Sequence, residues 1–336
     1  MTEPKSLSLA PYLANLAVGD AIGHLNLTLM PLRGEGHGLI EYLLAEQAIA
    51  SGQLTVSEIS QSGSVPELLV TSTTEQMILL LDGEELVGAK QNRILNTSIL
   101  LPPGAKLNIP VSCVEQGRWR SVSAKFSAGG YATLALRARK SEDVGRNLRE
   151  RSQAASDQMA VWDSVQDTLA KTGTRSNSMA LSDARQEQRA SLESYIDALP
   201  YPANAQGLLA AINGQFMVLE LFDKPATLER IWPRLLAGYA LDALISPKVK
   251  PRSFAPKTAR TIMDTLAKTD CTPCPSAGLG QDCRFDSADF VGQSLIFQDQ
   301  CIHLCAFPRQ QGRTRGYTRP FMSPSRRRDI LDQQDG

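Results

Sequence analysis

Two short runs of charged and amide side chains are the residues of this sequence best suited to chemistry. The first run is bounded by apolar segments and contains Asp82, Glu84, Glu85, Lys90, Gln91, Asn92, Arg93 and Asn96. An unpaired charge is costly to bury, so these side chains must form ion pairs, reach solvent or face a polar cleft. One interpretation is an exposed hairpin tip with satisfied ion pairs. The other is the rim of a ligand site, where acids bind ribose hydroxyls or a cation and Lys90 and Arg93 bind phosphate.

The second run is Pro110–Trp119, in which Cys113, Glu115 and Arg118 fall within six residues after a predicted strand. A thiol close to a guanidinium can have a lowered pKa and act as a nucleophile. In the phosphate loop of cysteine phosphatases five residues separate such a Cys and Arg, whereas four separate Cys113 from Arg118. A buried core cysteine is therefore the alternative interpretation. Trp119 could stack on a base or pack as a core aromatic.

Cysteines and one histidine near the C-terminus form a third group: Cys271, Cys274, Cys283, Cys301, His303 and Cys305. A Cys-x-x-Cys pair with further Cys and His is typical of tetrahedral zinc sites. Only one such pair is present, however, and Cys301, His303 and Cys305 alternate on a predicted strand, which should turn all three to one side. Structural zinc and a patch of reduced cysteines both remain open, and we assign no metal ligand.

A glycine-rich segment, Gly34-Glu-Gly-His-Gly38, lies early in the chain. It does not end in the Lys-Ser or Lys-Thr of a nucleotide-binding loop. The sequence therefore assigns it no nucleotide.

Between residues 22 and 139 the sequence predicts mostly strands and one early helix, and these elements must position the polar runs. Strands are expected over 54–59, 77–81, 84–87, 93–101 and 106–112. Asp82-Gly83 predicts a tight hairpin turn, and Pro102-Pro103-Gly104 predicts a turn between two paired strands. The early helix is indicated by the helical spacing of Ile40, Leu43, Leu44 and Ala48, with Gly52 at its left-handed end.

The second half of the chain predicts helices that alternate with hairpins. Residues 131–199 favour helices, with a loop over 172–178, and apolar stripes formed by Trp162, Val165 and Leu169 and by Leu192, Tyr195, Ile196 and Leu199. Asn213-Gly214 predicts a type I′ hairpin between 208–212 and 215–221. A helix follows over 227–244, where Pro233 is tolerated only near the first turn.

The C-terminal part predicts a basic, proline-interrupted linker over 247–256 and a helix over 258–268. A Cys-Pro-Gly loop should follow, and then a hairpin of 294–298 and 301–307 about Asp299-Gln300. Hairpins separated by helices predict the α+β class, with mainly antiparallel sheets built from hairpins and flanked by helices.

Composition narrows the class of protein. Hydrophobic residues make up 42% of the 336 residues and charged residues 21%, which is typical of a globular rather than a disordered chain. Lys and Arg number 35, as do Asp and Glu, so the sequence does not predict a nucleic-acid partner. Residues 308–336 carry seven Arg and three Asp, a net charge of +4, which leaves −4 on the body.

No export signal and no membrane-spanning run is apparent in the sequence. We therefore expect a cytoplasmic protein with reduced thiols and no membrane partner.

Two runs, 79–93 and 109–119, resemble the family called the ADP-ribosylglycohydrolase and rhodanese-phosphatase-superfamily-associated protein domain. The segments 26–28, 63–68, 161–163 and 221–223 support the resemblance. It spans about residues 20–307, which we predict to be one family domain. That domain would have a β-rich part over 20–140, a helical part over 141–200 and completing hairpins and helices over 207–307. A basic, disordered tail is predicted over 308–336.

The resemblance implies a link to the metabolism of NAD-derived ADP-ribose, and functional partners among ADP-ribosylglycohydrolases and rhodanese-type phosphatases. It implies no settled reaction and leaves any cofactor unknown, so whether the protein is an enzyme stays open. Residue by residue, the family's characteristic polar positions match residues of both runs, and Glu85, Glu115 and Cys113 are our catalytic candidates among them, although the resemblance does not make Cys113 a nucleophile. The candidate ligand-binding residues that it indicates are Asp82, Glu84, Lys90, Gln91, Asn92, Arg93, Gln116, Arg118 and Trp119.

We therefore predict that the chain binds or processes a phosphorylated, ADP-ribose-type small molecule. The alternative is a non-catalytic binding or scaffolding module.

Overall fold

The computed structural model describes residues 6–34, 38–60, 63–64, 66–247, 249 and 253–309, and its helices and strands follow in chain order. The first part contains β1 (Leu7–Ser8), α1 (Ala10–Leu13), β2 (Ala17–Val18), β3 (Ile22–His24), β4 (Leu27–Arg33), β5 (Tyr42–Leu44), α2 (Ala45–Ala50), β6 (Leu54–Ser57), β7 (Glu67–Ser72), β8 (Met77–Leu80), β9 (Glu84–Gly88), β10 (Arg93–Leu95), β11 (Ile99–Leu101), β12 (Lys106–Cys113) and β13 (Phe126–Tyr131). The second part contains α3 (Leu134–Arg151), α4 (Gln158–Thr172), α5 (Leu181–Glu187), α6 (Arg189–Ala198), β14 (Gly207–Ile212), β15 (Gln215–Phe222), α7 (Pro225–Ile245), α8 (Pro256–Leu266), β16 (Asp270–Pro275), β17 (Gln281–Asp286), β18 (Phe290–Phe297) and β19 (Gln300–Pro308).

These strands form three sheets. The largest has the order β1-β16-β17-β18-β19-β15-β14-β4-β2, with β3 also paired to β4. A second sheet has the order β13-β9-β10-β12-β7-β6, and a third has the order β11-β8-β5. Within the described residues, the pairing of β5 with β8 is the parallel one and the other strand pairs are antiparallel. The predicted α+β class is therefore confirmed.

The large sheet is buried on both faces, which explains the unbroken apolar sequence of β14. Leu208 and Ala210 pack into a core shared with α4 and α7, whereas Leu209 and Ala211 pack into a core shared with α8. A strand covered on both faces needs apolar residues at every position, not only at alternate ones. The second sheet has its own core against α2 and the third sheet.

Two predictions for the second half of the chain, a hairpin turn and two helices, agree with the structure. The β14–β15 hairpin turns at Asn213 and Gly214, whose φ values of 54° and 74° fit the predicted turn. The two predicted helical stripes lie on α4 and α6, except for Leu199, which follows the last residue of α6. Pro233 contradicts the sequence analysis, because it lies inside α7 rather than in its first turn.

The predicted hairpin at Asp82-Gly83 is wrong. Gly83 does turn the chain with φ of 75°, but β8 pairs with β5 and β11, whereas β9 pairs with β10 and β13. The turn therefore passes the chain from one sheet to another. A Cβ on Gly83 would lie 2.7 Å from Cδ of Arg137, so the turn is packed against a helix instead of closing a ladder.

The predicted strand over 93–101 is also wrong, because it is divided into β10 and β11. Residues 96–98 lie between β10 and β11. The Asn96 N–H still donates to the Pro110 carbonyl, but the side chains of Asn96, Thr97 and Ser98 bond to distant groups. As a result β11 pairs with β8, and the turn at 102–104 joins two strands that do not pair with each other.

Three further boundaries differ from prediction. Tyr42–Leu44 is strand β5, so the early helix covers only Ala45–Ala50, although Gly52 does have a left-handed φ of 74°. The final hairpin turns at Gln298 and Asp299, one residue earlier than predicted. The expected Cys-Pro-Gly loop is a hairpin formed by β16 and β17.

Residues 248 and 250–252 of the basic linker and the tail from residue 310 lie outside the described residues. Where the chain is described, none of its helices combines the length and the apolar character that crossing a bilayer requires.

Candidate functional site

The two polar runs of the sequence meet on neighbouring strands. Arg93 on β10 pairs with Cys113 on β12 in the second sheet. The backbone N–H of Asn92 donates to Glu115 Oε2 at 2.9 Å, and Gln91 Nε2 donates to the Glu115 carbonyl at 2.8 Å. These contacts form what we call the Trp119 cluster, whose members are Glu58, Lys90, Gln91, Arg93, Cys113, Glu115, Arg118 and Trp119.

Arg118 and Glu115 hold the loop after β12 in place. Arg118 Nε and Nη2 donate to the two oxygens of Glu115 at 2.7 and 2.5 Å. Arg118 Nη1 donates to the Ala89 carbonyl at 2.6 Å. A bidentate pair with further carbonyl bonds leaves the guanidinium little capacity for a ligand. Arg118 is thus placed to orient the cluster rather than to bind phosphate directly.

Arg93 differs from Arg118, because its side chain is fully buried and only one of its guanidinium nitrogens is hydrogen-bonded. Nη1 donates to the carbonyl and the side-chain oxygen of Gln91 at 3.3 and 3.1 Å. Nε and Nη2 have no hydrogen-bond acceptor in the described part of the chain. The nearest carboxylate, Glu58, lies 3.9 Å from Nη2, which is an ion-pair distance but too long for a hydrogen bond.

The indole of Trp119 lies against two cations of the cluster, Lys90 and Arg93. Its ring centroid lies 5.3 Å from Lys90 Nζ and 5.8 Å from Arg93 Cζ. Trp119 is 49% exposed, which is high for a large aromatic residue. The cluster therefore presents one accessible aromatic face with two cations beside it.

Cys113 is a buried member of the cluster, and its surroundings favour the neutral thiol. Burial raises the pKa of Cys113, although Arg93 acts in the opposite direction. Its Sγ donates to Gln91 Oε1 at 3.0 Å and approaches the Glu115 carbonyl at 3.3 Å. A buried thiol whose single hydrogen is directed at neighbouring oxygen atoms is not activated as a nucleophile.

Two predicted ligand residues serve as connectors at the edge of the cluster. Asn92 Oδ1 accepts from the Gly88 N–H at 3.1 Å, and Asn92 Nδ2 donates to Ser182 on α5 at 3.1 Å. Gln116 Oε1 accepts from Gln166 on α4 at 2.7 Å.

Asp82, by contrast, belongs to a separate and fully buried group, which we call the central network. Its members are Asp82, Arg137, Lys140, Glu220, Tyr239, Asp282, Arg284 and His303. Asp82 forms ion pairs with Arg137, at 3.2 Å, and with Lys140. Burial alone would raise the pKa of Asp82, but Lys140 and Arg137 hold it below its ordinary value.

Glu220 is the second anionic centre of the central network. Arg137 contacts its two oxygens at 2.6 and 3.0 Å, and His303 Nε2 lies 3.1 Å from it. Although burial opposes ionisation, Arg137 and the His303 bond lower the pKa of Glu220 to about 2. The network joins α3, β15, β17 and β19, so it is suited to hold the sheets together.

Glu84 and Glu85 likewise have distant partners rather than Lys90 or Arg93. Glu84 pairs with Arg234 of α7 at 3.0 Å, and burial raises its pKa. Glu85 forms an ion pair with Arg185 of α5. These two acids and Asp82 thus have partners of their own, outside the Trp119 cluster.

The six Cys and His residues do not converge on one point. Cys271, Cys283 and Cys301 share the core on the α8 side of the large sheet, whereas Cys305 packs on the other face. Leu295 pairs with His303 and Ile296 with Cys301, so a bulge at Ile302 breaks the alternation that the sequence analysis assumed. That expectation of a shared side is wrong. In the described residues no group of three or more Cys, His, Asp or Glu could hold a metal ion.

Sequence reasoning missed the cationic half of the central network. Arg137 and Lys140 lie three residues apart on α3, which was interpreted only as a helical segment. Their spacing on one helix face was the available signal, but nothing local marks that face as buried. Arg284 was missed because β17 was not predicted.

The fold and this polar surface define a compact α+β domain that carries an aromatic-covered cationic cluster. The chain belongs to the family described as the ARG and Rhodanese-Phosphatase-superfamily-associated Protein domain, which matches residues 15–307. The family's name associates it with ADP-ribosylglycohydrolases and with the rhodanese-phosphatase superfamily. No curated protein and no solved structure matches the chain.

Proposed function

We propose that this protein binds a phosphorylated, ADP-ribose-type ligand at the Trp119 cluster. The observation that carries the proposal is the Arg93 guanidinium, fully buried, with Nε and Nη2 lacking hydrogen-bond acceptors in the described residues. These two nitrogens form the side-on edge with which arginine binds a phosphate through parallel hydrogen bonds. The family's association with ADP-ribose-related proteins supports phosphate on an ADP-ribose scaffold.

Trp119 provides the second proposed contact, which is with a ring of the ligand. An exposed indole offers a stacking surface for an adenine or nicotinamide ring, and stacking on aromatic side chains is worth about 1–3 kcal/mol per base. For the phosphate to reach Arg93, the indole must swing aside, and the ligand must replace Glu58 as the anion that faces the guanidinium. Glu58 is thus a competitor of the ligand.

Binding without turnover is better supported than processing. Cys113 has a raised pKa, both oxygens of Glu115 accept from Arg118, and Glu85 is engaged by Arg185. None of the three catalytic candidates is therefore poised to attack or to transfer a proton. Product formation that is lost in Glu115→Gln or Glu85→Gln, while binding survives, would establish an enzyme instead.

The test is isothermal titration with ADP-ribose, its 1″-phosphate and NAD, using four variants. Trp119→Ala should weaken binding about tenfold, since about 1.4 kcal/mol of stacking is lost. Glu58→Gln should tighten it several-fold, because the competing anion is removed. Val122→Ala and Glu75→Gln are matched controls, because both residues are exposed and neither belongs to the cluster.

The proposal requires that Trp119→Ala lowers the affinity for the ligand and that Glu58→Gln raises it. Trp119 fluorescence should also change on titration, because the indole leaves the two cations. Absence of binding by all three ligands at millimolar concentration would refute the proposed function. Equal affinities in wild type and Trp119→Ala would exclude this location.

A further inference from the structure

A cavity of about 260 Å³ lies apart from the Trp119 cluster, at the end of β15. Asp223, the first residue after β15, and Gln206, the residue before β14, form part of its wall. The turn of the last hairpin contributes Asp299 and Gln300, and the N-terminal segment contributes Tyr12. The function proposed above makes no use of this cavity.

The most informative feature of the cavity is a pair of buried oxygen atoms without partners. Asp223 is 8% exposed and Gln206 is 9% exposed. Asp223 Oδ2 and Gln206 Oε1 have no hydrogen-bond donor in the described part of the chain. Buried acceptors are normally satisfied, so two in one cavity indicate that a donor other than the described residues belongs there.

Asp223 Oδ1 is held by a hydrogen bond, and this bond fixes the direction in which Oδ2 points. Tyr42 donates its phenolic hydrogen to Asp223 Oδ1, and Thr227 Oγ1 lies 2.6 Å from the same phenol oxygen. The Asp223 backbone is also anchored, because its carbonyl accepts from the Gly38 N–H at 2.9 Å. The carboxylate therefore cannot turn to satisfy Oδ2 without breaking its bond to Tyr42.

Two glycines lie directly against these buried oxygen atoms. A Cβ on Gly38 would lie 2.4 Å from Asp223 Oδ2, and a Cβ on Gly34 would lie 3.1 Å from Gln206 Oε1. Neither glycine has the positive φ that would itself require glycine. What glycine provides at both positions is the absence of a side chain over a buried acceptor. This gives a physical reason for the glycines at the two ends of the 34–38 segment.

The charge of the lining favours a cation. Asp223 and Asp299 carry carboxyl groups, and no Lys, Arg or His is found among the described residues that line the cavity. Burial raises the pKa of Asp223 to about 6, so above that pH the carboxyl is ionised. An anionic ligand would meet repulsion here, whereas a cation with N–H donors would supply both the charge and the hydrogen bonds that are lacking.

We propose that this cavity binds a small organic cation whose primary ammonium group donates to Asp223 Oδ2, with Gln206 Oε1 as a further acceptor. The cavity is smaller than the ~300–1,000 Å³ typical of drug-sized ligands, which agrees with a short alkylammonium compound. A primary ammonium is required rather than a quaternary one, because only the former has hydrogen atoms to donate.

The probe is 1,4-diaminobutane, measured by isothermal titration and by thermal shift on the full chain at about pH 7.5, where Asp223 is ionised. A ligand that binds the folded state raises the melting temperature. Tetramethylammonium chloride at the same ionic strength controls for charge without N–H donors. Glycerol controls for donors without charge. We expect a saturable response to the diamine and none to the other two.

Asp223→Asn should weaken diamine binding at least about tenfold, because the charge is lost while the shape and the Tyr42 bond are kept. Asp264→Asn, an exposed acid on α8, is the matched control and should bind like wild type. Gly34→Ala tests the same site beside Gln206 and should also weaken binding. Gly145→Ala is its control, because a Cβ there would meet only Arg149 at 3.6 Å.

Equal responses to the diamine and to tetramethylammonium would overturn the proposal, as would a preference for glycerol. Retention of wild-type affinity in both Asp223→Asn and Gly34→Ala would overturn it as well. These outcomes are independent of the ADP-ribose titrations, because Trp119→Ala and Glu58→Gln should leave diamine binding unchanged.

Discussion

Replacing Arg137 by methionine should lower the free energy of unfolding by about 3–5 kcal/mol, the range measured when one partner of a buried ion pair is removed. The substitution keeps most of the side-chain volume but deletes the charge. Glu220 would lose its two contacts at 2.6 and 3.0 Å, and Asp82 would lose one at 3.2 Å. Both acids are buried, so water cannot replace the guanidinium without opening the fold.

Arg149→Met is the matched control for Arg137→Met. Arg149 lies on the same helix and also forms an ion pair, with Asp286 at 3.1 Å, but its side chain is 38% exposed. Exposed pairs of this kind contribute about 0–1 kcal/mol. The free energies of unfolding of wild type, Arg137→Met and Arg149→Met are compared by urea unfolding in one buffer. A loss in Arg137→Met no greater than that in Arg149→Met would mean that the central network does not stabilise the fold.

A double variant separates the loss of the ion pair from the loss of packing. Adding Glu220→Gln to Arg137→Met removes the anion that the first substitution leaves uncompensated. If unpaired charge causes the instability, the double variant should be more stable than the sum of the two single effects predicts. If lost packing against Phe307 causes it, the two effects should simply add.

The central network also shows where sequence reasoning succeeds and where it stops. The sequence analysis required Asp82 to form an ion pair, reach solvent or face a polar cleft, which is a local inference from burial cost. Its partners lie 55 and 58 residues away on α3, and no periodicity in the sequence specifies that distance. Glu84 has its partner 150 residues away, on α7. Chain topology, not local pattern, selects these pairs.

Features fixed by neighbouring residues were predicted best. The hairpin at Asn213-Gly214 depends on two positive φ values that few other residue pairs adopt. The pairing of the segments that contain β10 and β12 was also predicted, because the two lie close in sequence, but the sequence did not specify that the two polar runs meet in space. By contrast, β16 contains Pro273 and Pro275, and proline argued against a strand there. The structure places these prolines near the edge of the large sheet, where only the two-residue β1 lies outside β16.

The cavity at the end of β15, beside Asp223, could hardly be predicted from the sequence. Its lining comes from five separated segments, between residue 11 and residue 301. Gly34 and Gly38 were noticed for their composition, yet their role depends on Gln206 and Asp223, which lie far along the chain. A glycine kept for the absence of its side chain cannot be told from a glycine kept for its backbone until its neighbours are known.

The second large effect is expected from Asp242, which lies on α7 and is buried. It accepts hydrogen bonds from the backbone N–H groups of Leu134 and Ala135, at the beginning of α3. Burial nevertheless dominates and raises the pKa of Asp242 from 3.8 to about 7. The folded protein therefore keeps a proton on this carboxyl over a range of pH in which the unfolded chain has lost it.

The direction of the pH effect follows from this difference in proton binding. Between about pH 4 and pH 7 the folded state binds more protons than the unfolded state, so stability falls as the pH rises. Each pH unit across that range costs about 1.4 kcal/mol, which gives a total on the order of 4 kcal/mol. Asp223 acts in the same direction up to about pH 6. Glu220 acts in the opposite direction, but only between about pH 2 and pH 4.5.

Asp242→Asn should therefore flatten the pH profile of stability, because the amide cannot ionise while its oxygen can still accept from α3. Urea unfolding at several values from about pH 5 to about pH 8 should show a smaller decline than in wild type. Asp167→Asn, which removes an exposed carboxyl from α4, should keep the wild-type decline. If Asp242→Asn and wild type fall in parallel, the carboxyl is ionised throughout. The two N–H groups of α3 would then outweigh its burial, and the junction between α3 and α7 would rest on a charged contact.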